Sequence, residues 1–164
     1  MKLPSPLNTP QTPLFWIALM RIMLGLVFLT TWASNLSKGF YTPDGLLNFF
    51  TKVFPQSENA LTWYAAFISN VILPIRGVFA PFQLVTEFLM GLALLIGFLT
   101  PLTSLAASFF LLNTFLATFG HDWPWAYFIP IGVLGVCFLA RAGRSLGVDA
   151  YLLQRFGEPK LPLW

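Results

Sequence analysis

The seventeen residues Leu84–Thr100, LVTEFLMGLALLIGFLT, decide the kind of fold that this chain can adopt. Sixteen of them are uncharged and most are apolar; the exception is the carboxylate of Glu87. About 20 apolar residues are enough to cross the roughly 30 Å of bilayer hydrocarbon as a helix. The segment is therefore predicted to lie in a membrane-spanning helix that carries one acidic side chain.

The composition of the whole chain also indicates a membrane protein. Of its 164 residues, 57% are hydrophobic and only 9% are charged, whereas soluble domains carry about 25% charged residues. The net charge of +3 is spread along the chain, and nucleic-acid-binding domains instead cluster their basic residues. Nucleic acid is therefore not an expected partner. A single cysteine, Cys137, excludes an internal disulfide or a CxxC redox pair.

Four apolar segments predict an all-α membrane protein, a bundle of four transmembrane helices, because lipid cannot satisfy free backbone groups. Pro81 suits the first turn of the second helix. A Pro-rich tail is expected at 1–13, the transmembrane domain at 14–142, and a surface helix with a tail at 143–164. The predicted spans cover residues 14–36, 81–99, 102–119 and 124–140.

The long connection between the first two spans, residues 37–80, is predicted to contain interfacial helices. Residues 57–73 are apolar enough to lie at the interface or to re-enter the bilayer, and both possibilities stay open. After the last span, apolar residues at helical spacing between Val148 and Phe156 predict a short surface helix. Gly157 and Pro159 are expected to end it.

Two charged side chains lie within the predicted spans, Arg21 and Glu87, and each costs about 2.5–3.5 kcal/mol at the centre of a span on insertion scales. Gln83 lies one turn from Glu87, and Asn113 is predicted to lie at a similar depth. In one interpretation Arg21 pairs with Glu87 in a structural polar cluster; otherwise its long side chain reaches the membrane surface. In the other interpretation the cluster is a ligand or proton site.

Small residues recur along the spans, and they are predicted to allow close helix packing. They are Gly25, Gly91, Gly97, Ser104, Ser108, Gly132 and Gly135.

His121 and Asp122 lie in the turn GHDWP between the third and fourth predicted spans. A lone histidine there is usually a turn residue; as a functional group it could handle a proton near a quinone headgroup, or bind one pigment or metal. One histidine excludes a bis-His haem held by this chain alone, and a four-ligand zinc site is not expected. The chain has no phosphate-binding fingerprint. No metal, haem or nucleotide is therefore predicted.

Short motifs recur in a set order along the chain. The first span carries R-x3-G-x2-F from Arg21, and the second carries E-x3-G from Glu87, followed by GFLTPLTSLAA from Gly97. The stretch AGRSLGVDAYL begins at Ala142. Together these motifs resemble the DoxX family, particularly its DoxD branch, the small subunit of thiosulfate:quinone oxidoreductase. The resemblance covers about residues 15–155. It implies a four-helix membrane protein linked to quinone and to thiosulfate or other sulfur and thiol redox.

The chain departs from the family pattern at three positions. Trp32 and Asn35 stand where the family often has Gly and Lys, and Pro101 stands where it has an arginine.

The first functional hypothesis is a quinone-linked redox subunit, a possible part of a thiosulfate:quinone-type oxidoreductase. Glu87 and Arg21 would be its catalytic residues, and quinone its possible cofactor. The second hypothesis is a non-catalytic accessory subunit of a larger respiratory or photosynthetic membrane complex. A small transporter is the third. The expected substrate- or quinone-binding residues are Asn113, Gln83, His121, Asp122 and Lys38.

The distribution of basic residues favours a cytoplasmic location for both termini, because cytoplasmic segments carry an excess of Lys and Arg. The expected location is the prokaryotic cell (inner) membrane, with multiple spans. The expected partners are the lipid bilayer and other membrane subunits. The terminal side carries Lys2, Arg141, Arg144, Arg155 and Lys160, and the loop side carries Lys38, Lys52 and Arg76.

Overall fold

Helices account for all regular secondary structure in the part of the chain that the computed structural model describes, residues 13–161 and 163–164. The predicted all-α class is confirmed for these residues. Residues 1–12 of the Pro-rich tail predicted at 1–13 lie outside them. The α-helices are α1 Leu14–Ser37, α2 Pro43–Asn48, α3 Thr62–Phe67, α4 Arg76–Ile96, α5 Thr100–Ala117, α6 Trp125–Leu139 and α7 Val148–Phe156.

Three of these helices, α1, α4 and α5, are long and apolar enough to cross a membrane. The fourth predicted span corresponds to α6, which is apolar but has 15 residues, fewer than the roughly 20 that a full crossing needs. A multi-pass membrane protein is therefore supported. The count of four spans stays a prediction.

The connection between α1 and α4 folds against one end of the bundle, called here the loop side. Gln56 donates to the Ala117 carbonyl at 2.9 Å, and Asn59 donates to the Leu116 carbonyl at 2.9 Å. Carbonyls in the last turn of a helix have no partner within the helix, so these amides complete the end of α5. Whether the connection is interfacial or re-entrant stays a prediction. A buried cluster joins it to α4 and α5: Leu46, Phe50, Tyr64, Ile68, Ile72, Ala80 and Ala117.

Helix α4 begins at Arg76, five residues before the start predicted at Pro81. That prediction was wrong because Pro81 lies inside the helix with an exposed side chain. A proline there removes one hydrogen bond near the helix start, which the helix tolerates. Glu87 is consequently the twelfth of 21 residues in α4. It lies near the middle of the helix and not close to its loop-side end.

Glycines bring α1 and α4 into close contact. A Cβ at Gly25 would lie 2.5 Å from the backbone nitrogen of Leu95, and a Cβ at Gly91 would lie 3.0 Å from the Leu29 side chain. The predicted packing role is confirmed at both glycines. It is wrong for Gly132 and Gly135 of α6, where an added Cβ would meet nothing within 4 Å.

The opposite end of the bundle, called the turn side, carries the α4–α5 turn at 97–99 and the C-terminal segment. Helix α7 lies here, and its bounds match the predicted surface helix, with Gly157 directly after its last residue. A 3₁₀ turn, Ala142–Arg144, precedes α7 and packs against α1, α5 and α6. The C-terminal segment is thus part of the folded bundle.

Candidate functional site

A buried carboxylate and a buried phenol meet in the middle of the bundle. Glu87 is 2% exposed, and its Oε2 accepts a hydrogen bond of 2.7 Å from the Tyr41 hydroxyl. Tyr41 is 6% exposed and lies in the turn after α1. Burial raises the pKa of the Tyr41 hydroxyl, and the hydrogen bond to Glu87 raises it further. Tyr41 therefore keeps its proton and acts as the donor.

The last turns of α1 complete this pair. The Asn35 side chain lies within hydrogen-bonding reach of both Tyr41 and Glu87. One turn earlier, the Trp32 indole nitrogen donates to the Leu84 carbonyl of α4 at 3.1 Å. Trp32 and Asn35 are the two positions of α1 that depart from the family pattern. Both make contacts that attach the end of α1 to the α4 segment around Glu87.

An apolar layer separates Glu87 from the turn side. On α4 no polar residue follows Glu87 before the helix ends at Ile96. Buried side chains from four helices fill this layer, so it is closely packed in the way of a protein interior. They are Leu24, Phe28, Met90, Leu94, Ala107 and Leu134.

Arg21 lies beyond this layer and does not pair with Glu87. Its side chain is fully buried, and it donates to the Leu94 carbonyl at 3.1 Å and to the Leu146 carbonyl at 2.8 Å. The Arg21–Glu87 pairing of the structural-cluster interpretation is therefore wrong. Arg21 instead holds the C-terminal segment against the turn-side end of α4. The ion pairs within the described ranges 13–161 and 163–164 join Glu158 to Arg141 and Arg144.

Asp149 lies within the AGRSLGVDAYL stretch and is a further buried carboxylate, on the turn side of the bundle. Its carboxylate is 0% exposed and accepts from the backbone N–H of Leu99 at 2.7 Å and of Thr100 at 2.8 Å. Free N–H groups at a helix start favour an acidic partner, so Asp149 caps α5 from a distant part of the chain. We call Arg21, Gly97, Thr100, Leu146 and Asp149 the turn-side cluster.

The turn-side cluster depends on glycines because its backbones and side chains approach closely. A Cβ at Gly97 would overlap the Arg21 guanidinium, and a Cβ at Gly143 would overlap the Asp149 carboxylate. Gly97 also has a φ of 67°, in the left-handed region that glycine adopts readily. The motif around Gly97 and the motif from Ala142 are therefore parts of one contact.

The hydrogen bond of the described residues at Glu87 comes from Tyr41 and from none of the remaining predicted site residues. Asn113 accepts from the Tyr64 hydroxyl at 2.7 Å, and burial raises the pKa of Tyr64 to about 12. Gln83, one turn from Glu87 on α4, is half-buried. Lys38 is exposed at the end of α1.

His121 and Asp122 lie at the loop-side turn, as their sequence position predicts. His121 is exposed, and its ring centroid lies 5.9 Å from that of Phe54. Asp122 accepts from the Tyr127 hydroxyl at 2.7 Å. A series of aromatic contacts through Phe40, Phe49 and Phe54 lies between His121 and Tyr41.

A groove of about 350 Å³ opens between α4 and α5. Its lining is almost wholly apolar, and its polar members, Thr86 and Thr103, donate to backbone carbonyls nearby. Met90 lines the groove and also belongs to the apolar layer next to Glu87. The groove can hold an apolar chain. The other lining residues are Leu89, Ala93, Phe98, Leu99, Leu102 and Ala106.

The described residues contain no group of three His, Cys, Asp or Glu side chains that could hold a metal ion. Cys137 is a free, fully buried thiol on α6. Any dithiol chemistry therefore requires a second protein.

Comparison with known proteins identifies the family. A family model described as "TQO small subunit DoxD" matches residues 16–163. Neither a curated protein nor a solved structure matches the chain. The match includes α1 from residue 16 onward and the whole of α4, α5, α6 and α7, and with them Glu87, Arg21 and Asp149. The chain therefore belongs to the DoxD family of membrane proteins.

Proposed function

We propose that this chain is the membrane subunit of a thiosulfate:quinone-type oxidoreductase, and that Glu87 with Tyr41 handles protons where quinone reacts. One observation carries the proposal: a carboxylate with 2% exposure accepts a 2.7 Å hydrogen bond from a buried phenol inside an apolar bundle. Ionisable groups within a bilayer are costly and commonly mark a proton or ligand path.

Quinone supplies the redox chemistry, since it takes up two electrons and two protons when it is reduced. The residues of this chain supply the protons and hold the quinone in position. Tyr41 donates its hydrogen bond to Oε2 of Glu87, and in this proposal the other carboxyl oxygen, Oε1, would turn towards the quinone. A general acid must lie within hydrogen-bond reach of the group that it protonates, so a quinone carbonyl would lie beside Glu87.

The groove between α4 and α5 supports the same proposal. It has the apolar lining that an isoprenoid chain requires, and Met90 in its wall is one helical turn from Glu87. Its two hydroxyls already have partners, so the groove suits the chain better than the headgroup. The headgroup would therefore approach Glu87 past Met90.

In this proposal the other predicted site residues have roles outside proton transfer. Arg21 positions the turn-side end of the bundle and takes no part in proton transfer. Gln83 lies on the same helix as Glu87 and could contact a headgroup. Asn113 is held by Tyr64, and His121, Asp122 and Lys38 lie towards the loop-side surface, where they would affect access. Electrons from the sulfur compound reach the site through a partner subunit.

The experiment is thiosulfate-dependent quinone reduction by the mildly solubilised native particle. Glu87→Gln and Tyr41→Phe are each expected to lower kcat by about a hundredfold, the low end of what a positioned proton donor contributes. The matched control is Glu58→Gln, because Glu58 is an exposed carboxylate in the loop. Full activity of Glu87→Gln in an assembled particle would refute the proposal.

The same preparation separates this function from the accessory role. Mass spectrometry of the particle that shows one redox partner and bound quinone supports the proposal. A particle that is a large respiratory or photosynthetic assembly, with Glu87→Gln fully active, supports an accessory subunit.

A further inference from the structure

We infer that Glu87 exchanges its proton with water on the loop side only, through the Tyr41 hydroxyl, which Asn35 helps to position. This inference deepens the proposed function. It rests on that function only for the identity of the group, quinone, that receives the proton from Glu87. It assigns a direction: protons used at Glu87 come from the compartment that the α1–α4 connection faces.

The polar neighbours of Glu87 all come from the loop side. Tyr41 belongs to the turn that follows α1, and Asn35 belongs to the last turn of α1. Residues 36–38 and 42–44, on either side of this segment, are exposed. The Tyr41 hydroxyl is therefore deep while its backbone lies near the surface. A tyrosine hydroxyl both donates and accepts, so it can pass a proton to Glu87 from the loop side.

On the turn side, the described residues form no hydrogen-bonded route to Glu87, and the groove between α4 and α5 that extends to this side is lined almost wholly by apolar side chains. The apolar layer of α1, α4, α5 and α6 lies between Glu87 and Arg21. Leu94, whose carbonyl binds Arg21, is seven positions beyond Glu87, or roughly 10 Å further along the helix. On α5, the hydroxyl of Ser108 donates to the Ser104 carbonyl of its own helix at 2.8 Å. Beyond the layer, three fully buried side chains of the turn-side cluster, Arg21, Thr100 and Asp149, close the end of the bundle.

The positions of the titratable and charged groups on the helices around Glu87 are consistent with proton exchange from the loop side. On α1 the group is Arg21, beyond the apolar layer, and α5 carries none. Helix α4 has Arg76 at its loop-side start, and α2 has the exposed Asp44. Helix α6 has Tyr127 near the loop-side turn, bonded to Asp122, and Cys137 near Arg21. Of the titratable groups on these elements, Tyr41 is the one that hydrogen-bonds to Glu87.

The test uses the full chain in vesicles of uniform orientation and reads the carboxyl C=O stretch of Glu87 by infrared difference spectroscopy. The band is assigned by its loss in Glu87→Gln. The pH is stepped on one side while the other side is strongly buffered. We expect the band to respond to a step on the loop side and not to one on the turn side. A response to both sides, to the turn side alone, or to neither overturns the inference.

The route itself is tested by Tyr41→Phe, which keeps the ring and removes the relaying hydroxyl. The loop-side response is expected to slow by about a hundredfold. Tyr151→Phe is the matched control, because Tyr151 is 63% exposed on α7. If Tyr41→Phe does not assemble, Asn35→Ala replaces it. An unchanged rate in the assembled variant overturns the route. The infrared measurement needs neither quinone nor a partner. Its result is therefore independent of the quinone-reduction assay, and either proposal can be refuted while the other stands.

Discussion

Replacing Asp149 with alanine tests the contact that joins the C-terminal segment to the bundle. The carboxylate is fully buried and accepts two backbone N–H groups, at 2.7 Å and 2.8 Å. Asp149→Ala leaves both N–H groups without this partner, and each buried unpaired group costs about 1–3 kcal/mol. Partial relaxation lowers the total, since removing a helix cap by itself costs about 0.5–2 kcal/mol. We expect a loss of about 3 kcal/mol in the free energy of unfolding.

Asp149→Asn refines this expectation, because the amide keeps one acceptor oxygen and turns a donor towards the second N–H. Its loss should be about half as large, roughly 1–2 kcal/mol. Asp44→Ala is the matched control: Asp44 is an exposed acidic residue in the first turn of α2. Its loss should be about 0.3–1 kcal/mol, the usual effect of a charge near a helix start.

The assay is equilibrium unfolding in mixed micelles, together with hydrogen exchange of the amides of Leu99 and Thr100. Asp149→Ala should lower stability clearly more than Asp44→Ala and should speed exchange at both amides. If the two alanine variants are equally stable and the amides stay protected, the turn-side cluster does not hold the bundle together in the way described.

Three further predictions concern helix packing, the groove and the C-terminal tail. Gly25→Ala should destabilise the α1–α4 pair by about 1–3 kcal/mol because the new Cβ meets backbone, whereas Gly132→Ala, in open space, should be neutral or slightly stabilising in the same unfolding assay. Ala106→Phe narrows the groove and should raise the KM for quinone severalfold, whereas Leu105→Phe, which is exposed and outside the groove lining, should not; equal KM values would exclude the groove as the chain site. The hydrogen bonds from Arg144, and then from Arg141, lower the pKa of the Glu158 carboxyl. The contribution of these contacts is therefore present above the ordinary pKa range of glutamate and is lost as the pH falls through the lowered pKa. Proteolysis after residue 157 should increase on such acidification and be independent of pH in Glu158→Gln.

Tyr41 shows why part of the site was not predictable from sequence. It is a tyrosine in a turn, and neither its spacing nor its neighbours indicate that it enters the bundle. Its position depends on the chain turning back after α1, which brings it to Glu87, 46 residues away in sequence. The importance of Asp149 is easier to predict from the sequence, because Asp149 stands in a motif that resembles the family's ending. The sequence does not say which helix that motif caps.

Membrane character, helical class and the presence of a carboxylate within a span follow from the sequence by itself. They depend on composition and on local periodicity, and each residue contributes to them without reference to distant neighbours. The family also follows from the sequence, since short motifs keep their order and spacing.

Only the tertiary structure decided where the buried charges find partners. Arg21 and Glu87 looked like a pair because both are charged and lie within spans, yet an apolar layer separates them. The start of α4 at Arg76 placed Glu87 near the middle of its helix, and the return of the chain after α1 brought Tyr41 to it. A buried polar group must be satisfied by whichever donor or acceptor the packing brings within about 3 Å. That choice depends on contacts between residues far apart in sequence, which local patterns do not encode.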